Sequence, residues 1–136
     1  MDDKTVQNLI NKAMEIAKKN NCCKWSNYTV GCALLDAEGN IWDGFNVENQ
    51  GIQSICAERV TFCKAFTNGA KDFKCIAVVG KKLNESKFEK TLPCGYCRQF
   101  MSEYVDEDFI VYTYDEKTNQ IYTYTIKELL PESFNL

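Results

Sequence analysis

The chain reads as an α/β fold: a mixed five-stranded sheet sandwiched between helices, with its last two strands antiparallel. Three observations predict it. Helical and strand patterns alternate in the order α-β-β-α-β-α-β-β-α. The connection between the last two strands spans only Asp115 to Asn119, too short for a parallel crossover, which needs about a dozen residues or more. The 136 residues, 45% hydrophobic and 26% charged, suit one soluble domain over residues 1–136 with a single core.

The elements follow in order. Val6, Leu9, Ile10, Ala13, Met14 and Ala17 recur at helical spacing, so residues 3–19 form a helix. Asp2 and Asp3 complement its start, Lys18 and Lys19 its end, and Asn20-Asn21 stop it. Tyr28 to Leu35 is a strand, residues 36–40 a turn, and Ile41 to Val47 the returning strand of a hairpin. Glu48 to Ile55 lacks periodicity and is a loop. Cys56 to Phe66 is helical and ends at Asn68-Gly69. Lys74 to Val79 is a short apolar strand for the middle of the sheet. A polar loop over 81–92 leads to Pro93, then a helix from Cys94 to Tyr104. Phe109–Tyr114 and Gln120–Thr125 are strands rich in β-branched and aromatic residues, and Ile126–Leu130 is a last short helix before Pro131.

Composition narrows the function. The net charge is −3 and the basic residues are scattered, which argues against a polyanionic partner, whose binding rests on neutralised phosphates. No apolar run is long enough to cross a bilayer, and Met1-Asp2-Asp3-Lys4 does not begin like a signal peptide, so a cytoplasmic location is expected. The eight cysteines are therefore read as core filler or metal and redox centres instead of four disulfides. Histidine is absent, which leaves acid–base work to Glu, Asp, Tyr, Lys or Cys.

Pro93-Cys94-Gly95-Tyr96-Cys97 is the sharpest motif. A C-x-x-C pair opening a helix puts both sulfurs on one face and at the positive end of the dipole, where thiolates are favoured. Alone it fits a thioredoxin-like redox pair or a structural zinc knuckle as well as a catalytic metal. Cys56, opening the other helix, offers a third thiolate. Cys63 lies seven residues on, ~10 Å along a helix axis, and cannot reach the same ion. Three ligands leave one tetrahedral position for water, the arrangement of catalytic zinc. Glu58, two residues after Cys56, is then a proton carrier; without the cysteines it would be an ordinary first-turn glutamate.

Cys56-Ala57-Glu58, a gap, then Pro93-Cys94-x-x-Cys97 resembles the zinc-dependent cytidine deaminase family in its small, three-cysteine form. Tyr28-Thr29-Val30-Gly31, Asn46-Val47-Glu48-Asn49, Arg98-Gln99 and Glu128-Leu129-Leu130-Pro131 look like that family in its order, so the resemblance spans nearly the whole chain. It implies a three-layer α-β-α cytidine deaminase-like fold, one Zn²⁺ per subunit on Cys56, Cys94 and Cys97, and hydrolytic release of ammonia from cytidine and deoxycytidine. In that chemistry zinc lowers the pKa of its water, hydroxide adds to C4, and Glu58 carries the proton to N3. Arg59 is expected to hydrogen-bond ligand sulfurs and offset the −1 charge of a zinc with three thiolates. Asn46 and Glu48 match the pair that holds the ribose 3′-hydroxyl. Tyr28 stands where the family has a phenylalanine beside the base, and backbone groups of Ala57 and Cys94 read the ring's polar edge. Phe134 matches an aromatic that reaches a neighbouring subunit's site in a homotetramer; a local hydrophobic anchor is its other reading. The loop from Asn46 to Cys56 is one residue shorter than is usual, and Ile52 stands where a tyrosine is common.

Two relatives of that family compete. Nucleic-acid editing deaminases carry basic surfaces and parallel final strands, which this chain lacks. Blasticidin-type deaminases are similarly small three-cysteine enzymes without the acidic residue of the Asn-x-Glu pair, so Glu48 favours a nucleoside sugar. A purely structural zinc module would close the fourth position with another ligand.

Overall fold

A computed structural model describes all 136 residues. Helix α1 (Asp3–Lys18) begins at Asp2, whose carboxylate accepts the Thr5 N–H at 2.7 Å and so satisfies one of the helix's open amides. Strands β1 (Tyr28–Asp36) and β2 (Ile41–Phe45) form the first hairpin. Helix α2 (Ala57–Thr67), strand β3 (Phe73–Lys82) and helix α3 (Gly95–Ser102) follow. Strands β4 (Ile110–Asp115) and β5 (Gln120–Thr125) lead into α4 (Ile126–Leu129), which Thr125 and Glu128 start with a reciprocal capping box.

The sheet order is β2-β1-β3-β4-β5. β3 and β4 are parallel and every other pair is antiparallel, including β4 with β5, as the short connection requires. Strand alternation divides the core in two. Ala33, Leu35, Cys75, Ala77 and Val79 turn to one face and meet Val6, Leu9, Ile10, Ala13 and Ala17 of α1. Cys32, Leu34, Ile76 and Val78 turn to the other and meet Phe62 and Ala65 of α2, Met101 of α3 and Ile126 and Leu129 of α4. With both faces covered, β1 and β3 are apolar almost throughout. The result is the expected three-layer sandwich.

Four expectations need correction. The returning strand stops at Phe45; Val47 rejoins the backbone only through an isolated bridge to Ile55, so Asn46 and Glu48 belong to a segment beyond the sheet. The β3 strand is longer than the apolar run, because Gly80 to Lys82 keep pairing with β1. Helix α3 ends at Ser102, two residues before Tyr104. Cys63, outside the metal set and so read as core filler, is exposed, whereas Cys23, in the loop after α1, is buried.

Candidate active site

The N-termini of α2 and α3 meet on the sheet face opposite α1 and bring three cysteines together. Cys56 is the N-cap residue of α2 and Cys94 that of α3, and neither side chain caps its helix. A serine or aspartate in these places would bond the open amides; the sulfurs point instead toward each other. The Sγ atoms of Cys56, Cys94 and Cys97 all lie within 4.8 Å of one another, and those of Cys56 and Cys94 are 3.8 Å apart. A tetrahedral zinc with Zn–S bonds of about 2.3 Å sets its sulfurs about 3.8 Å apart. The cluster therefore has the size and donor chemistry that Zn²⁺ takes.

Its electrostatics favour thiolate. Cys56 is held down to about 5, chiefly because it accepts a hydrogen bond from Cys97, with Arg59 adding to the effect against the opposing cost of burial. Cys97, which gives that hydrogen and is buried, is pushed up. The guanidinium of Arg59 lies against both sulfurs. Burial works to discharge it, but Cys97 and Cys56 outweigh that and hold it more firmly charged. It also sits 4.5 Å from the centre of the Tyr96 ring and donates to the Ser54 carbonyl at 3.4 Å, while its buried Nε has no hydrogen-bond partner. A guanidinium charge beside these two sulfurs is suited to metal-bound thiolates.

Glu58 is 3% exposed on the first turn of α2. Burial first, then the charge of Cys56, raises its carboxyl to about 7. A group that exchanges its proton near neutrality, two residues from a cysteine of the triangle, has the acidity a proton shuttle needs. Ala57 is buried at the first helical position, where its N–H has no partner within the helix.

Asn46, Glu48 and Tyr28 form a second group. The Asn46 Oδ1 accepts from the Val30 N–H at 2.8 Å and from Asn20 Nδ2 at 2.7 Å, while its Nδ2 donates to the Tyr28 carbonyl at 3.0 Å. Glu48 accepts the Ser26 N–H on one oxygen at 3.1 Å, and its own N–H donates to the Cys22 carbonyl at 2.9 Å. The Tyr28 hydroxyl donates to Glu89 at 2.8 Å and lies 3.1 Å from Thr91 Oγ1; burial foremost pushes its pKa to about 12, so it stays a neutral donor. These two partners were not among the residues singled out from sequence, since each is over sixty positions from Tyr28. Arg98 ties the Pro93 carbonyl at 2.8 Å to the Leu129 carbonyl at 2.9 Å, fixing the mouth of α3 to α4. Phe134 is 66% exposed, so it is no buried anchor of its own chain, and Ile52 is fully exposed on the short loop.

Comparison with known proteins agrees with this geometry. The family model of the cytidine and deoxycytidylate deaminase zinc-binding region matches residues 3–113. A cytidine deaminase of Sporosarcina psychrophila is 37% identical over 82% of this chain and 78% of its own. The crystal structure of cytidine deaminase from Burkholderia pseudomallei superposes with a TM-score of 0.81 at 30% identity, over 98% of this chain and 100% of that one. A blasticidin-S deaminase of Bacillus cereus is more distant, 29% identical over 78% of this chain and 76% of its own.

Proposed function

The chain belongs to the cytidine and deoxycytidylate deaminase family, and we propose on that premise that it converts free cytidine and 2′-deoxycytidine to the uridines with release of ammonia. One observation carries the reading: a buried glutamate stands two residues from a cysteine whose sulfur, with two others, makes a zinc-sized triangle.

In this reading Cys56, Cys94 and Cys97 would hold one Zn²⁺, which when bound would supply water activated for attack at neutral pH. Glu58 would hold a proton beside the base, deliver it to the ring N3 and later help ammonia depart. The amide of Ala57 and backbone groups of Cys94 orient the polar edge of the base. Arg59 and the two helix N-termini offset the excess negative charge of three thiolates. The free oxygen of Glu48 and the second N–H of Asn46 hold the sugar 3′-hydroxyl from opposite hydrogen-bonding senses. Tyr28 borders the base with its hydroxyl turned to Glu89 and Thr91. The exposed ring of Phe134 completes a neighbouring site in a homotetramer. Eight unpaired thiols suit a reducing, cytoplasmic compartment.

The test is the ultraviolet change when zinc-loaded protein meets cytidine and, separately, deoxycytidine. Conversion of both supports the reading. No conversion of either, with turnover of blasticidin S, transfers the site to that substrate and defeats the assignment of Glu48 to a sugar.

A further inference from the structure

Asn20 follows the last turn of α1 and reads from sequence as a helix stop, yet its side chain makes four polar contacts, two to Asn46, one to Thr29 of β1 and one to Cys22, whose carbonyl in turn holds Glu48. Its Oδ1 accepts the Cys22 N–H at 2.8 Å, which fixes the orientation of the amide, because a backbone N–H can only donate. Its Nδ2 then donates, its two hydrogens shared among Asn46 Oδ1 at 2.7 Å, the Asn46 carbonyl at 3.2 Å and Thr29 Oγ1 at 3.1 Å. The Thr29 hydroxyl spends its own hydrogen on the Ala17 carbonyl at 2.7 Å, so its oxygen is left to accept.

The consequence reaches both sugar contacts. With Val30 N–H and Asn20 Nδ2 on its oxygen, Asn46 has one polar group left over, the second hydrogen of Nδ2. Toward a ligand it can only donate. The same Asn20 holds the backbone of Cys22, whose carbonyl receives the Glu48 N–H at 2.9 Å. Glu48, a carboxylate, can only accept. One asparagine outside the pocket therefore enforces a donor–acceptor pair matched to a single hydroxyl.

We infer that Asn20 is a positioning residue for recognition of the sugar 3′-hydroxyl, acting through Asn46 and through Cys22 on Glu48; this rests on the assignment of that pair to the sugar. The experiment compares Asn20→Ala and Asn20→Ser with the unmodified zinc-loaded enzyme on cytidine and on 3′-deoxycytidine. Asn20→Ala is expected to lower kcat/KM for cytidine on the order of tenfold, through KM, with kcat and zinc content nearly unchanged. On 3′-deoxycytidine the variant and the parent should agree within about twofold, since the hydroxyl being positioned is gone. Asn20→Ser, which keeps one donor, should fall between and serves if the alanine variant does not fold. An equal loss on both substrates, or none on cytidine, overturns the inference and leaves the sugar reading standing. A parent enzyme indifferent to the 3′-hydroxyl overturns the sugar reading itself, and the inference with it.

Discussion

Gly31 sits in β1 under the last turns of α1, and replacing it with alanine tests how tightly that helix is seated. A Cβ there would lie 2.2 Å from the Ala13 carbonyl oxygen, 2.8 Å from Ala17 Cβ and 2.9 Å from Ala17 N. Two of the three atoms are helix backbone, so no side-chain rotation relieves the clash. The C-terminal half of α1 must withdraw by about 1 Å, a gap that forfeits a quarter to a half of the dispersion at the affected contacts. Overpacking of this kind costs about 3 kcal/mol. With an unfolding entropy of about 2.1 cal/mol/K per residue over 136 residues, the melting temperature should fall by about 10 °C. Calorimetry of the zinc-loaded variant reads this directly. Gly51→Ala is the control, because its added Cβ meets only Gln53 Oε1 at 3.6 Å, and it should shift the melting temperature by no more than about 1 °C. A loss under about 2 °C in Gly31→Ala would refute the seating of α1 described above.

Glu58→Gln should keep one zinc per chain while kcat drops about a hundredfold or more, as measured by metal analysis and steady-state kinetics; retained turnover removes Glu58 from the proton path. Cys94→Ser should lose most of the bound zinc together with activity, and unchanged metal content would contradict its role as a ligand. Asp36 is buried and accepts from Trp42 Nε1, from both Asn40 donors and from the Glu38 N–H. Burial pushes its pKa up, but these bonds outweigh it and leave the carboxyl below its ordinary value. A depressed folded pKa gives stability that is present above about pH 4 and lost as the pH falls through the folded value. Asp36→Asn should cost about 2 kcal/mol at pH 7, and the gap in melting temperature should narrow in acid; a gap independent of pH would exclude the carboxylate as its source.

The architecture was legible where a single physical constraint ruled a segment. The spacing of Val6, Leu9, Ile10, Ala13 and Ala17 named the buried face of α1, because only one stripe of that helix can be dry. The five-residue link before Gln120 dictated an antiparallel final pair. The cysteine triangle was legible too, since a histidine-free chain offers few other soft ligands. What stayed hidden depends on contacts between distant segments. Asn20 has the composition of a turn residue, and nothing local says that its amide reaches residue 46. Tyr28 could be placed beside the base by resemblance, but its hydroxyl partners come from the loop before α3. Cys63 was misread because helical spacing locates a face without saying how far that face is covered. The two uncapped helix starts show the reverse relation: at Cys56 and Cys94 a local preference yields to the site, whereas Asp2 and Thr125, remote from it, cap as expected.

Cys56 and Cys94 stand 38 residues apart in the chain and on different helices. An ion they share is therefore also a cross-link, closing a loop that includes α2 and the central strand β3. By the loop-entropy relation for covalent bridges, a closure of that length removes about 4 kcal/mol of freedom from the unfolded chain. A bound zinc would thus act as a removable staple: its removal should lower folding stability as well as turnover, and chelation should expose the protein to proteolysis along that loop.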